Sequence, residues 1–291
     1  MPTIRRANWS VDYGWSAASG LRLGSCDYGG IRVIANASVP FIYVNYDGDA
    51  AGPFTDELRS ERGKVDVRPI MFGFDIKVSY DLYGADYLYE HVWRFQDDGQ
   101  FGSMVIIHGP GEEIDGRHTY HLPFRFDLDI SGQSGDSFQR RLPGGGWADV
   151  DFEGQYLPFN PGGRDYHWRV LDKARNKSVS IRARTGDNAE LWALRYKQQE
   201  SWAAWGAVTP VVPGSPGSVP ALYDNGQTVQ DTDIVVWYIA HVSSLERVAV
   251  CGPWFRLAGY PEYERPDDDD HDHDHGHEDD HGHEDDHTHD H

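Results

Sequence analysis

Short runs of β-branched and aromatic residues, each ended by glycine, proline, asparagine or aspartate, are the feature that most restricts the fold of this chain. Four of them, at residues 21–35, 75–83, 89–96 and 233–242, read LRLGSCDYGGIRVIA, DIKVSYDLY, YEHVWRFQ and DIVVWYIAHV. Such runs have the length and composition of β-strands, and no helical period longer than two turns is found between them. We therefore predict an all-β protein, built as a large sandwich of twisted sheets.

The C-terminal segment has a different composition. From Asp267 to His291 it contains only Asp, Glu, His, Gly and Thr, and 13 of these residues are acidic. Residues 1–266 therefore carry only −8 of the total formal charge of −21. A segment so polar and so charged cannot bury a core. We predict one β-sandwich domain over residues 1–266 and a disordered tail over residues 267–291.

The tail interleaves imidazoles with carboxylates, which is a pattern that chelates Ni, Zn or Cu. The alternative is an acidic segment that only aids solubility. The predicted metal-binding histidines of the tail are His271, His273, His275, His277, His281, His283, His287, His289 and His291.

Charge and hydropathy argue against several classes of protein. Arg5 and Arg6 near the N-terminus are not followed by the apolar segment of a signal peptide, and no run approaches the roughly 18 apolar residues of a membrane span. The net acidity and the lack of basic clusters argue against nucleic-acid binding. We expect a cytoplasmic protein that does not bind membranes, in which Cys26 and Cys251 are free buried thiols.

Five segments of the chain, in order, resemble the catalytic domain of the copper amine oxidases. The cofactor strand of that family has the pattern N-Y-(D/E)-Y followed by W-x-F, and its copper strand has H-x-H followed by R-x-D. The matching segments here are GLRLGSCDYGGIRVIANASVPFIYVNYDG, DYLYEHVWRFQDDGQF, HTYHLPFRFDLDISGQSGDSF, SWAAWGAVTP with GSVPALYDNGQTVQDTD, and DTDIVVWYIAHVSSLERVAVCGPWFRLAGYP.

The resemblance implies an oxidoreductase that converts a primary amine to an aldehyde and releases ammonia and hydrogen peroxide. In that family three histidines hold a copper ion, two of them from the H-x-H pair. The copper converts a nearby tyrosine to topaquinone, and the protein positions and tunes this cofactor. The resemblance also implies a homodimer.

The resemblance assigns the organic cofactor and the base. Trp93 fixes the register of the cofactor strand, and the tyrosine six positions earlier, Tyr87, is then the predicted quinone precursor. The nearest candidate for the base that acts on the substrate carbon is Asp56. The alternative for the Tyr-x-Tyr pair that begins at Tyr87 is ordinary aromatic packing on a strand.

The metal ligands match the family less closely. The first position of the H-x-H pair is His118, but the second is Tyr120, and the late ligand position is Ser244. We expect His118, His121 and His241 to be the copper ligands, with Tyr120 as an oxygen ligand. This set requires a β-bulge, because on a regular strand residues 118 and 121 point to opposite faces.

Two functions therefore stay open for the body of the chain. One is a short copper amine oxidase that uses Tyr87 and Asp56. The other is a non-catalytic descendant of that fold that binds metal or acts as a scaffold. A third function, zinc or nickel handling, would need only the tail.

Overall fold

The computed structural model describes most of the chain outside its tail. The described residues are 1–16, 19–39, 41–46, 54–58, 64–82, 87–109, 118–158, 165–200, 218–244 and 248–264. The tail and its nine histidines lie outside the described residues, and so does the predicted boundary at residue 266.

Two antiparallel sheets contain all of the described strands. The first sheet, sheet A, consists of β1 (Thr3–Arg6), β2 (Trp9–Ser16), β3 (Gly20–Tyr28), β4 (Ile31–Ile34), β5 (Asn36–Ser38), β6 (Phe41–Tyr46), β7 (Phe54–Glu57), β12 (His118–Leu128), β15 (Gly154–Tyr156), β18 (Glu190–Arg195) and β19 (Ile234–Ser244). The second, sheet B, consists of β8 (Asp66–Ile70), β9 (Gly73–Leu82), β10 (Tyr87–Gln96), β11 (Gln100–His108), β13 (Asp136–Arg141), β14 (Trp147–Asp149), β16 (Trp168–Asp172), β17 (Lys177–Arg182), β20 (Val248–Cys251) and β21 (Trp254–Ala258).

The helical content of the described residues is small. It consists of a single 3₁₀ turn at Gln198–Glu200 and the four-residue helix α1 at Ser218–Ala221. Among the described residues no helix is long and apolar enough to cross a membrane.

The DYGG stretch at residues 27–30 forms the turn that joins β3 to β4. Gly29 and Gly30 both have positive φ, 59° and 75°, a conformation that glycine adopts without steric cost. β10 and β11 form a second hairpin with eight paired positions, from Leu88 with His108 to Phe95 with Phe101.

The longest pairing in sheet A joins β12 to β19. Every residue from His118 to Leu128 has a partner between Ser244 and Ile234, with no shift of register. β6 lies on the other side of the first half of β12, and β18 lies on the other side of β19. This pairing therefore places β6, β12, β19 and β18 side by side.

The two sheets pack face to face around an aromatic core. Trp93 of sheet B meets Phe126 of sheet A with ring centroids 5.7 Å apart, and Trp9 of sheet A meets Phe95 of sheet B at 4.9 Å. One continuous cluster of buried residues includes side chains from both sheets. The prediction of an all-β sandwich is confirmed.

A smaller apolar cluster covers the opposite face of sheet A. It is formed by Phe41, Tyr43, Leu194, Val235 and Trp237. We call the face of sheet A that meets sheet B the inner face, and the face that carries this second cluster the outer face.

Cys26 and Cys251 are both free and buried, as predicted. The segment that begins at Arg141 is rich in glycine and proline, which is a composition typical of loops, but the short strands β14 and β15 form within it. They form because Trp147 pairs with Arg141 and Gly154 pairs with Ala193, which are contacts that the local sequence does not indicate.

We expect Phe126→Ala to lower the free energy of unfolding by about 3–5 kcal/mol, because it removes a fully buried ring from between the sheets. Chemical denaturation measures this loss. The matched control is Leu157→Ala, since Leu157 is 70% exposed, and its effect should stay within about 0.5 kcal/mol. Equal losses in the two variants would contradict the described core.

Candidate functional site

The pleat of β12 divides the residues that the sequence singles out. Tyr120, Leu122 and Phe124 belong to the core between the sheets and thus lie on the inner face. The residues that alternate with them, among them His121 and Asp127, lie on the outer face. Because the pairing with β19 is unbroken, no bulge changes this alternation along β12.

The expected β-bulge between positions 118 and 121 is therefore wrong. Each of these residues has a partner in β19, and no extra residue is left over to form a bulge. The predicted ligands His118 and His121 occupy positions of opposite parity on a regular strand.

The three positions that align with copper ligands of the family are neighbours in the sheet. The backbone of His118 lies opposite that of Ser244, and Tyr120 is two residues along the same strand. The side chains of His118 and Ser244 lie outside the described residues, while Tyr120 is buried. One imidazole, one phenol and one hydroxyl do not fit a centre made of three imidazoles.

The candidate base is buried beside β10. Asp56 lies opposite Ile42 of the neighbouring strand and is only 5% exposed. Its Oδ2 accepts a hydrogen bond of 2.5 Å from the hydroxyl of Tyr89. Tyr87 begins β10, with its backbone opposite Leu82, and its side chain lies outside the described residues.

Asp56 therefore meets the Tyr-x-Tyr pair through its second member. From the sequence, Tyr89 is assigned no role beyond its place as the second tyrosine of this pair. Its burial follows from its position, since Tyr89 and Trp93 are four residues apart on one strand and both belong to the core.

His121 and His241 are brought together on the outer face. They are directly opposite each other on β12 and β19, and their Nδ1 atoms are 2.7 Å apart. The amide of Asn45 lies 3.0 Å from Nε2 of His121, and a carboxylate oxygen of Glu190 lies 3.9 Å from Nε2 of His241.

The electrostatics around His121 favour a neutral ring. Burial, followed by the nearby charge of His241, lowers the pKa of His121 to about 4, although Glu190 acts in the opposite direction. His121 is therefore uncharged at neutral pH, the form in which an imidazole can bind a metal ion.

A carboxylate cluster at the far end of β12 was not predicted. Asp127, Asp129 and Asp233 offer one oxygen each, and these oxygens lie within 4.8 Å of one another. The guanidinium of Arg125 is fully buried nearby, with Nη2 3.7 Å from Asp127 and Nη1 2.5 Å from the Asn36 side chain. The D-x-D at the end of a strand was visible in the sequence, but Asp233 comes from a segment about a hundred residues later.

The cluster holds its carboxyl groups with raised pKa values. Burial, followed by the charges of Asp127 and Asp129, raises the pKa of Asp233 to about 8. Burial and the charge of Asp127 raise the pKa of Asp129 to about 6, and burial raises the pKa of Asp127 itself. Three carboxylates this close repel one another, and a cation between them would remove that repulsion.

Two oxygens of the cluster are left without hydrogen-bond donors. Oδ1 of Asp127 and Oδ1 of Asp233 are buried and have no partner among the residues described. Buried polar atoms are seldom unpaired unless an ion or water completes the site. Carboxylate oxygens in such numbers suit hard cations such as Ca²⁺, Mg²⁺ and Mn²⁺.

Asp136 connects the two segments that carry the cluster. Its Oδ2 accepts a hydrogen bond from the backbone N–H of Ile130, the residue after Asp129. Its backbone exchanges two hydrogen bonds with Thr232, the residue before Asp233. Asp136, which is not itself in the cluster, therefore links the segment that carries Asp129 to the segment that carries Asp233. The distance between the carboxylates of Asp129 and Asp233 depends on this link.

Comparison with known proteins gives a relationship at the level of the fold. No protein-family model matches the chain, and no curated protein matches it.

Solved structures of copper amine oxidases do match. They include a copper-containing benzylamine oxidase from Hansenula polymorpha, with a TM-score of 0.61 and 11% identity, over 90% of this chain and 62% of the other. Pichia pastoris lysyl oxidase matches with a TM-score of 0.60 and 13% identity, over 90% of this chain and 52% of the other. An Aspergillus nidulans amine oxidase has a TM-score of 0.60 and 12% identity, over 89% and 51%.

The chain thus spans between half and two thirds of the length of these oxidases. At such low identity the likeness concerns the fold alone. The β-domain has the fold of a copper amine oxidase catalytic domain.

Proposed function

We propose that this protein is a metal-binding protein on the amine oxidase fold, which does not carry out amine oxidation. One observation supports this most directly. The positions that align with the three copper ligands hold His118, Tyr120 and Ser244, while the nearest other histidines, His121 and His241, lie on the outer face of the sheet.

His121 and His241 cannot take the place of the missing copper ligands by a small movement along their strands. A side chain on the outer face is separated from the inner face by the sheet itself, and moving it across requires a shift of register by one residue. Such a shift would also expose Leu122 and Phe124, which are fully buried, to the outer face. The burial of these two residues therefore opposes any rearrangement that would rebuild the copper centre.

The cation that we assign to the body binds at Asp127, Asp129 and Asp233. The convergence of three oxygens and the two unpaired oxygens both support this assignment. A divalent cation would offset the repulsion that now keeps Asp129 and Asp233 partly protonated. The tail at residues 267–291 would add a separate capacity for Ni, Zn or Cu through its imidazoles.

We expect Ca²⁺ to raise the melting temperature of the full-length protein, and to do so more strongly at pH 8 than at pH 6. The pKa of Asp233 is raised to about 8, so without a cation the folded form holds a proton that the unfolded form has lost, and stability falls as pH rises from about 4 to about 8. A cation binds the deprotonated carboxylate and offsets that loss. At a hundred times its dissociation constant the gain is about 2.7 kcal/mol.

The variants for this experiment are Asp233→Asn and Asp129→Asn. Asparagine resembles the protonated carboxyl group, so both variants should fold and both should lose the response to Ca²⁺. The matched control is Asp66→Asn, which alters a partly exposed carboxylate paired with Arg68 and leaves the tail intact. A response that persists in Asp233→Asn, or that does not change with pH, would contradict the assignment.

A second candidate function, oxidation of a primary amine, is favoured by the contact between Asp56 and Tyr89. That contact brings a buried carboxylate to the cofactor strand, two residues from Tyr87. Copper and topaquinone would supply the redox chemistry, and a primary amine and a homodimer would be the corresponding partners. Since the aligned ligand positions do not fit the copper ion, we derive no catalytic step from them.

The two functions differ in the fate of Tyr87. We expect the metal-free protein, given Cu(II) in air, to develop no visible quinone absorption and to keep an unmodified Tyr87 peptide by mass spectrometry. The physical reason is that a single aligned imidazole does not hold copper beside the tyrosine. A coloured product together with a mass gain on the Tyr87 peptide would instead establish the oxidase.

A further inference from the structure

The imidazole pair on the outer face has the arrangement of a metal site in its own right. His121 and His241 are cross-strand partners, so the sheet itself fixes the distance between their backbones. Their rings meet at an interplanar angle of 68°, with Nδ1 of one ring 2.7 Å from Nδ1 of the other. The other nitrogen of each ring, Nε2, is directed to a different polar group.

Those polar groups determine where the protons lie. With its nitrogen toward the ring, the Asn45 amide donates to Nε2 of His121, so that the proton of neutral His121 is on Nδ1. This Nδ1–H donates to Nδ1 of His241, whose own proton is then on Nε2 and faces Glu190. The lone pair at Nδ1 of His241 thus accepts the hydrogen bond from His121, and it is the lone pair that a metal ion would take in its place.

We propose that His121 and His241 bind one divalent transition-metal ion, for which Zn(II) is the test ion, through their two Nδ1 atoms, with Glu190 and Asn45 as positioning residues. Imidazole nitrogen is a preferred ligand of zinc, copper and nickel. A carboxylate on the distal nitrogen of a metal-binding histidine is the usual way in which proteins fix that ring.

Glu190 is itself held in place. Its Oε1 accepts a hydrogen bond of 3.1 Å from the indole of Trp192, and its Oε2 accepts one from the side chain of Gln155. The backbone N–H of His241 donates to the carbonyl of Asp187 at 2.6 Å. Both the backbone of His241 and the carboxylate that faces its ring are therefore fixed before any ion arrives.

Binding requires three small changes. Two nitrogens on a tetrahedral zinc ion are about 3.3 Å apart, so the Nδ1 atoms must separate by about half an ångström. The proton on Nδ1 of His121 moves through solvent to Nε2 of the same ring, so that the ring stays neutral, and the Asn45 amide turns so that its oxygen accepts from this Nε2–H. The side chain of His241 is 23% exposed, which leaves the remaining coordination positions open to water.

This site is distinct from the others on the molecule. It lies on the outer face, whereas Tyr120 of the aligned copper positions lies on the inner face. It is separated from Asp127 by six residues of β12, a distance of about 20 Å. Loss of zinc binding here would leave the response of the carboxylate cluster to Ca²⁺ unchanged, so the two proposals fail independently.

The test uses the full-length protein and the melting temperature of the β-domain at buffered free Zn(II). Zinc should stabilise the wild type, and His121→Gln and His241→Gln should each abolish that stabilisation. Glu190→Gln should raise the apparent dissociation constant about 10–100-fold without abolishing binding. The control is His108→Gln, which removes a more exposed histidine and leaves the tail and its nine histidines unchanged.

A second measurement covers the case in which a histidine variant does not fold. In the wild type, zinc should protect His241 from carbethoxylation by diethyl pyrocarbonate, as read from the mass of its peptide. No zinc stabilisation of the wild type, equal stabilisation in all variants, or unchanged modification of His241 would each overturn the proposal. The proposal is supported if, among the variants, only His108→Gln keeps the full stabilisation by zinc that the wild type shows.

Discussion

The unbroken pairing of β12 with β19 is the constraint on which both the fold and the sites depend. Eleven consecutive residues of β12 have partners in β19, and the even-numbered ones from Tyr120 to Leu128 are buried between the sheets. Side chains that alternate strictly cannot be moved to the other face one at a time. A histidine one position away from an aligned ligand position therefore lies on the other side of the sheet, and the same pairing that excludes His121 from the inner face brings it to His241.

A second constraint is the carboxylate charge that the fold gathers at the other end of this strand pair. Asp127, Asp129 and Asp233 are held together by the ends of β12 and β19, while Asp136 connects the two segments. One buried guanidinium, Arg125, does not balance three carboxylates, and the raised pKa values of Asp129 and Asp233 are the consequence. Proteins seldom retain such repulsion unless a bound cation or proton offsets it.

Much of the fold could be predicted from local sequence, and much of the candidate site could not. The hairpin turn at Gly29 and Gly30 and the burial of the free cysteines follow from residue type and spacing. The carboxylate cluster, by contrast, depends on which strand pairs with which, and no local pattern places Asp233 beside Asp127. The expected bulge before His121 was wrong for the same reason, because only the partner strand shows whether a residue is left over.

The most direct test of this account is an anomalous difference map at the copper edge, from crystals of the full-length protein grown with Cu(II). We expect a peak on the outer face between His121 and His241, and no peak on the inner face near His118, Tyr120 and Ser244. A peak at the inner-face positions would contradict it, since copper would then be held where the described strands offer a single aligned imidazole.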